Sequence, residues 1–163
     1  DAIHAIELEN FSPEEAVSRE SLAAHIQTLS STFLVVEKDG KILGYLEGPV
    51  RPERYLKDIS FTEEIEDYGH LDGGFISLTS LSISKDAQGM GVGRELLEAM
   101  KEIAIAEERH GINLTCHDYL IAYYEKHAFV NEGFSQSTYA GATWFDMVWE
   151  NPSLKLQKKP RIS

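Results

Sequence analysis

Apolar residues in the first third of the chain have the spacing expected of two helices followed by a hairpin. The first helix is predicted over residues 2–11. The second is predicted over residues 12–29, with Ser12 as its N-cap and Pro13 at its first helical position. Two apolar runs on either side of Lys38-Asp39-Gly40 then indicate a β-hairpin.

The rest of the chain alternates strand-like and helix-like patterns. A loop is predicted over residues 51–72, with a short helix near 52–58, and a strand with a possible irregularity follows over 74–84. A helix is then predicted over 93–110, stopped by Gly111, and a strand over 112–118. A last helix over 119–129 precedes one or two strands within 134–150. The order α-α-β-β-loop-β-α-β-α-β-β predicts one mixed α/β domain spanning residues 1–163.

Composition narrows the classes of function. The net charge of -12 argues against nucleic-acid binding and is compatible with a cationic small-molecule ligand, although solubility alone could explain it. The single cysteine, Cys116, excludes an intramolecular disulfide. With no membrane-length apolar run and no signal peptide visible, we expect a cytoplasmic protein that binds no membrane.

Both ends of the sequence carry an expectation. The chain opens at Asp1 within a predicted helix, so we expect a strand upstream of this numbering. Residues 154–163 are basic and contain a proline, which predicts a frayed tail.

A glycine-rich stretch joins the predicted strand at 74–84 to the helix that follows. It reads Gln88-Gly89-Met90-Gly91-Val92-Gly93 and places three glycines at a helix N-terminus, where unpaired N–H groups attract anions. A Walker A loop would need Gly-Lys-Ser/Thr, but Gly93 is followed by Arg94 and Glu95. A Rossmann fingerprint would need a further glycine at Arg94 or Leu96.

The stretch instead resembles the acetyl-CoA loop of the GNAT superfamily of N-acetyltransferases, Gln/Arg-x-x-Gly-x-Gly/Ala. The resemblance implies an α/β (mixed α+β) fold whose central, mostly antiparallel twisted sheet is splayed near its middle and flanked by helices on both faces. It also implies acetyl-CoA as the cosubstrate. The implied cofactor-binding residues are Leu81, Ser82, Ile83, Gln88, Gly89, Met90, Gly91, Val92, Gly93 and Arg94.

The segments "CHDYLIAYYEKHAF" and "GATWFDM" resemble the serotonin (arylalkylamine) N-acetyltransferase branch of the superfamily. By this resemblance, Tyr124 is the catalytic acid that protonates the CoA thiolate, which suits a phenol that is neutral at pH 7. Tyr123 is then a packing residue. Trp144 and Phe11 are expected to form aromatic walls of the pocket for the amine.

The sequence departs from that branch where its animal members carry two histidines thought to relay the proton of the amine. Ser77 and Thr79 occupy these positions, and neither is a base at neutral pH. A water chain past them would have to end at another group, for which His117, Glu47 and His70 are the candidates. Ser77, Thr79 and His117 join the expected substrate-binding residues.

The sequence does not favour nucleophilic catalysis by the cysteine or a metal site. Consecutive strand residues point to opposite faces, so Cys116 and His117 are not expected to form a catalytic pair. The histidines show no metal-ligand spacing, and no metal is proposed.

The prediction is a monomeric or homodimeric acetyltransferase acting on a primary amine, with an arylalkylamine as the expected acceptor. The alternatives are a polyamine, an aminoglycoside or a protein N-terminus as acceptor, or a catalytically weak CoA-binding regulatory module.

Overall fold

In the computed structural model, which describes residues 1–29, 31–61, 65–137 and 141–157, two neighbouring β-sheets carry helices on both faces. The first sheet is antiparallel and contains, in spatial order, β1 (Phe33–Lys38), β2 (Lys41–Glu47) and β5 (Ser80–Ile83). The second contains β3 (Val50–Arg51), β4 (Phe75–Ser77), β6 (Gly111–Cys116), β8 (Phe145–Glu150) and β7 (Val130–Phe134). Within the second sheet, only β4 and β6 run parallel.

The helices are divided between the two faces of the sheets. Helices α1 (Ala2–Asn10) and α2 (Arg19–Thr28) lie on one face, where α1 packs against β2 and β5. Helices α3 (Val92–Ala106) and α4 (Ile121–Lys126) share the main hydrophobic core on the other face. The apolar stripe of α3 is fully buried there, because its members recur every three or four residues: Leu96, Leu97, Met100 and Ala104. A short helix, α5 (Pro152–Gln157), follows β8.

The predicted long strand is two strands that belong to different sheets, and this corrects the prediction. The N–H of Leu78 donates to the carbonyl of Asn113 in β6 at 2.9 Å, whereas the N–H of the next residue, Thr79, donates to Glu47 in β2 at 2.9 Å. The chain therefore leaves β6 for β2 at this point. Beyond it, β5 and the end of β6 diverge, and no backbone pairing joins residues 80–83 to residues 114–116. This is the expected splay.

Helix α2 begins at Arg19 rather than at the predicted Pro13. The carbonyl of Ser12 accepts from Glu15 and Ala16, but only one turn forms because the N–H of Val17 donates to the buried Glu7 carboxylate at 3.0 Å. The N-cap is Ser18 instead of Ser12, and its hydroxyl accepts from the Ser21 N–H.

Other predicted boundaries also shift. Helix α3 ends at Ala106, five residues before Gly111, which is the first residue of β6. The short helix expected near 52–58 is a 3-10 turn over Asp58–Phe61, and β7 starts before the segment in which strands were predicted. Residues 154–157 of the predicted frayed tail belong to α5, and residues 158–163 lie outside the described part. The hairpin is confirmed, with Asp39 and Gly40 at positive φ.

Candidate active site

The glycine loop adopts a conformation that needs glycine at two of its positions. Gly89 and Gly91 have φ of 82° and 79°, in the left-handed region that side chains disfavour. Gly91 is the N-cap of α3 and supplies no side-chain cap. A Cβ added at either position would meet nothing within 4 Å. The backbone N–H groups at the start of α3 are consequently open to an anionic ligand.

Gly93 lies in close contact with a side chain of α4. A Cβ at this position would meet the hydroxyl of Tyr123, so a larger residue would require the phenol to move. The phenol of Tyr123 therefore lies directly against the first turn of α3.

A cavity of about 670 Å³ lies between the glycine loop and α4. Its lining includes three cationic side chains, Arg94, Lys101 and Lys126, and one anionic side chain, Glu98, whose Oε1 lies 3.4 Å from Lys101 Nζ. Lys101 Nζ also donates to the carbonyl of His127 at 2.5 Å. Burial, followed by the charges of Lys101 and Lys126, lowers the pKa of His127. The lining therefore has an excess of positive charge, which favours an anion, although the chain as a whole carries a net charge of -12.

Seven of the ten residues expected to bind the cofactor line this cavity: Ile83, Gln88, Gly89, Gly91, Val92, Gly93 and Arg94. The other three lie elsewhere. Met90 is exposed, Leu81 packs against the core, and the hydroxyl of Ser82 contacts Asn10 Nδ2 at 2.7 Å. Tyr123, which we had expected only to pack, also lines the cavity.

Tyr124 lies behind Tyr123 in the core and is 9% exposed. Its ring makes edge contacts with Tyr123 and Phe129, with centroids 5.1 and 5.8 Å apart. Among the described residues its hydroxyl has no hydrogen-bond partner. Burial is the main cause that raises its pKa, with Tyr123 and Cys116 adding to the effect, so the phenol is neutral at pH 7.

Cys116 is part of the same core, as expected for a packing residue. It is 2% exposed, and burial raises the pKa of its thiol to about 11. The thiolate needed for nucleophilic chemistry is therefore scarce at neutral pH. His117 lies on the opposite side of β6, where its ring stacks on Trp144, so these two neighbours form no catalytic pair.

The side of the sheets that faces away from α3 is polar at its centre, and we call it the polar face. Strand alternation and register place seven residues on it: Ser77, Thr79, Asn113, Thr115, His117, Trp144 and Asp146. The rings of His117 and Trp144 stack with centroids 4.2 Å apart, and Tyr119 stacks on His117 at 5.5 Å. An aromatic wall therefore stands at the open end of β6.

Several buried polar atoms on the polar face have no hydrogen-bond partner among the residues that the structure describes. They are Ser77 Oγ, Asn113 Oδ1 and Asp146 Oδ1. Burial is the main cause that raises the pKa of Asp146. Such atoms are uncommon in folded proteins, since each costs about 1–3 kcal/mol unless water or a ligand satisfies it. The polar face is thus suited to a ligand that donates hydrogen bonds.

The sequence profile of the Acetyltransferase (GNAT) family matches residues 1–129. This chain belongs to that family. No curated protein sequence matches it significantly.

Solved GNAT structures share the fold at low sequence identity. The loading GNATL domain of CurA from Lyngbya majuscula is 14% identical with a TM-score of 0.74, covering 91% of each chain. The GphF GNAT-like decarboxylase in complex with isobutyryl-CoA is 15% identical, with a TM-score of 0.73 and coverage of 93% of this chain and 94% of that one. The ribosomal-protein-S18-alanine N-acetyltransferase from Escherichia coli is 16% identical, with a TM-score of 0.62 and coverage of 91% of this chain and 85% of that one. These likenesses establish the fold alone.

The remaining predicted residues of this GNAT domain are not all brought together. Phe11 follows α1, is 41% exposed and makes no ring contact with His117 or Trp144. Of the three candidate bases, His70 is exposed in a loop, His117 is held in the aromatic stack and Glu47 is buried beside Thr79.

Sequence reasoning missed seven of the residues that line the cavity, and three of them recur on α4 and its C-cap at helical spacing. The missed residues are Tyr123, Lys126 and His127 from that segment, with Ala87, Glu98, Lys101 and Ala128. Sequence reasoning also missed Asp146, whose signal is an acid inside the apolar run "FDMVW". His25 was missed as well, although it falls between Leu22 and Leu29 on the buried side of α2.

The described residues contain no cluster that could hold a metal ion. None of the helices in the described part is long and apolar enough to cross a membrane.

Proposed function

We propose that this GNAT protein transfers the acetyl group of acetyl-CoA to a primary amine, with arylalkylamines as its acceptor class. The observation that carries the proposal is that the splay between β5 and β6 has different chemistry on its two sides. A cationic cavity with a glycine loop lies on the α3 side. A polar and aromatic surface lies on the other. A thioester bound in the splay would meet an amine entering from the polar face.

Binding of the CoA pyrophosphate is assigned to the start of α3. The N–H groups there are free of side-chain caps, and Arg94, Lys101 and Lys126 supply positive charge around them. The edge of β5 that does not pair with β2 runs from the splay toward this loop. The amides of the pantetheine arm would pair with that edge as an added strand does.

In the proposed reaction the amine nitrogen attacks the thioester carbonyl, and the tetrahedral intermediate then expels the CoA thiolate. Tyr124 would protonate this thiolate. Its buried phenol is protonated at pH 7, and among the described residues no hydrogen bond holds the hydroxyl elsewhere. A general acid in this position contributes about 10²–10⁴-fold to the rate.

The acceptor class is proposed from the polar face. The stacked rings of His117 and Trp144 present an aromatic surface on which an aryl group can stack. Asp146, which neighbours Trp144 on this face, offers a donor group of the acceptor one buried carboxylate oxygen that has no partner within the described part of the chain. The acidic surface of the protein would also raise the local concentration of a cationic amine.

Thiol release from acetyl-CoA tests the proposal when tryptamine, phenethylamine, spermidine, an aminoglycoside and peptides with free N-termini are supplied in turn. We expect the arylalkylamines to have the highest kcat/KM. Preference for a peptide would replace the acceptor class, and CoA binding without thiol release for any amine would favour a regulatory module.

The role of Tyr124 is tested with Tyr124→Phe, which keeps the ring and removes the donor. We expect turnover to fall about 10²–10⁴-fold. CoA should still raise the melting temperature as in the wild type, since ligand binding to the native state is unchanged. Wild-type turnover would remove Tyr124 from the mechanism.

A further inference from the structure

A histidine and a glutamate form a buried pair beneath α2. His25 Nδ1 lies 2.7 Å from Glu47 Oε1, and the two side chains are 10% and 1% exposed. Each also keeps one buried polar atom, His25 Nε2 and Glu47 Oε2, for which the described ranges of the chain offer no hydrogen-bond partner. The pair is thus joined internally but unsatisfied at both outer ends.

The contact orients the carboxylate of the pair. A ring nitrogen and a carboxyl oxygen 2.7 Å apart share a hydrogen, which Nδ1 of His25 carries when the carboxylate is the acceptor. The bond holds Oε1 of Glu47 in place, while Oε2 has no partner among the described residues. A carboxylate held in this way can act as a proton acceptor.

The pair adjoins the point where the strand changes sheets. Glu47 is the last residue of β2, and its carbonyl accepts from the Thr79 N–H at 2.9 Å. The hydroxyl of Thr79 lies 3.5 Å from Glu47 Oε1. Thr79 and Ser77 belong to the polar face and hold the positions at which the related branch has its histidines. The nearest buried imidazole here is on α2 instead.

We propose that the His25–Glu47 pair accepts the proton of the acceptor ammonium, by way of Thr79 or a water beside it; this rests on the proposed acetyl transfer. The ammonium proton passes by way of Thr79 to the Glu47 carboxylate of the pair, and the free amine then forms the C–N bond with the thioester carbon. The C–S bond breaks, and the thiolate takes the proton of Tyr124. The phenolate regains a proton from the new amide nitrogen. One proton leaves overall, from the pair to solvent.

A purely structural carboxylate on the same side of β2 looks different. Glu7 from α1 is 2% exposed, and both its oxygens are satisfied, by Tyr45 Oη at 2.6 Å and the Val17 N–H at 3.0 Å. Glu7 and Tyr45 are the titratable groups that face the pair from α1 and β2. The pKa of Tyr45 is raised, first by burial and then by Glu7, so the phenol is not ionised near neutrality. Glu47, unlike Glu7, keeps one carboxylate oxygen without a hydrogen-bond partner in the described part of the chain.

The test is the pH dependence of kcat/KM for wild type, Glu47→Gln and His25→Gln, measured from about pH 6 to about pH 10, where the acceptor amine approaches its own ionisation. His4→Gln on α1 is the matched histidine control. Glu7→Gln is the matched control for Glu47→Gln. CoA-induced shifts in melting temperature verify that every variant retains its fold and cofactor site.

We expect Glu47→Gln to lower kcat/KM about 10²-fold at pH 7. The loss should shrink as the pH rises and vanish near the pKa of the free amine, where solvent has already removed the proton. His25→Gln, which removes the ring that orients the carboxylate, should show a smaller loss with the same pH trend, whereas both controls should keep the wild-type profile shape. An equal loss at every pH would assign the pair a structural role and overturn this inference alone. A wild type that releases no thiol would overturn the proposed function as well.

Discussion

Ala128 ends helix α4 in a conformation that favours glycine, and replacing it with glycine should stabilise the protein. Its φ is 69°, and the hydrogen bonds around it define a Schellman motif. The Phe129 N–H donates to the Tyr124 carbonyl and the Ala128 N–H to the Glu125 carbonyl, each at 3.0 Å. Ala128 is therefore the residue directly after the C-cap, where the left-handed conformation is required.

The expected change in the free energy of unfolding is the difference between two effects. A non-glycine residue in the left-handed region lowers this free energy by roughly 1–2 kcal/mol. Glycine at any site lowers it by about 0.4–1 kcal/mol, because the unfolded chain has greater entropy. Ala128 is exposed, so its methyl group contributes little burial. Ala128→Gly should thus gain about 0.5–1 kcal/mol, or roughly 1–4 °C in melting temperature for a domain of this size.

Ala122→Gly is the matched control, because it makes the same chemical change at an exposed, right-handed position within α4. It should lose about 0.5–1 kcal/mol. Urea unfolding measures both free energies, and an unchanged m value would show that the unfolded state is comparable. If Ala128→Gly destabilised the protein as much as Ala122→Gly, the assignment of strain to Ala128 would be refuted.

Two further predictions concern the ligand sites. Gly91→Glu should abolish the rise in melting temperature that CoA produces, because the new carboxylate would repel the pyrophosphate. The control is Gly40→Glu, which makes the same change at a φ of 77° in the hairpin turn. It should destabilise the protein to a similar extent, while CoA still raises its melting temperature. Asp146→Asn should raise the melting temperature at pH 7. The raised pKa of Asp146 means that its ionisation is unfavourable in the folded state, and the variant avoids this cost. The difference in melting temperature between variant and wild type should therefore disappear as the pH falls toward about 3, where the carboxyl is protonated in both states. A difference that persists at that pH would have another cause.

The sequence predicted the architecture because hydrophobic periodicity and the glycine loop are local signals. Element boundaries failed where a long-range contact decided them. Glu7 removes the Val17 N–H from the helix that Ser12 would start, and no spacing rule within residues 12–29 reveals it. The end of α3 was missed for a related reason. The left-handed residue after α3 is Glu108, with a φ of 56°. Because this position is usually glycine, the sequence rule placed the end of the helix at the next glycine, Gly111.

In the candidate site too, the features encoded locally could be predicted from the sequence and those that depend on tertiary packing could not. Its glycine loop could be predicted because backbone conformation and residue type are coupled at Gly89 and Gly91. The cations that complete the cavity come from two helices, and their convergence is a property of tertiary packing. His25 and Glu47 are 22 residues apart in sequence, and only the packing of α2 on β2 brings them together.

The distribution of unsatisfied polar atoms bears on what the polar face is for. Within the described residues, side-chain atoms of Ser77, Asn113 and Asp146 are buried without partners on that face, Glu47 lies beside it with His25, and a sixth such atom, Ser60 Oγ, lies in the Asp58–Phe61 turn. At about 1–3 kcal/mol each, the first five groups would cost a large fraction of the stability of an ordinary domain if water and ligand never reached them. Apolar substitutes would fold at least as well. Their concentration around the splay, opposite the cationic cavity, is the arrangement expected where a cationic acceptor is bound, deprotonated and acetylated.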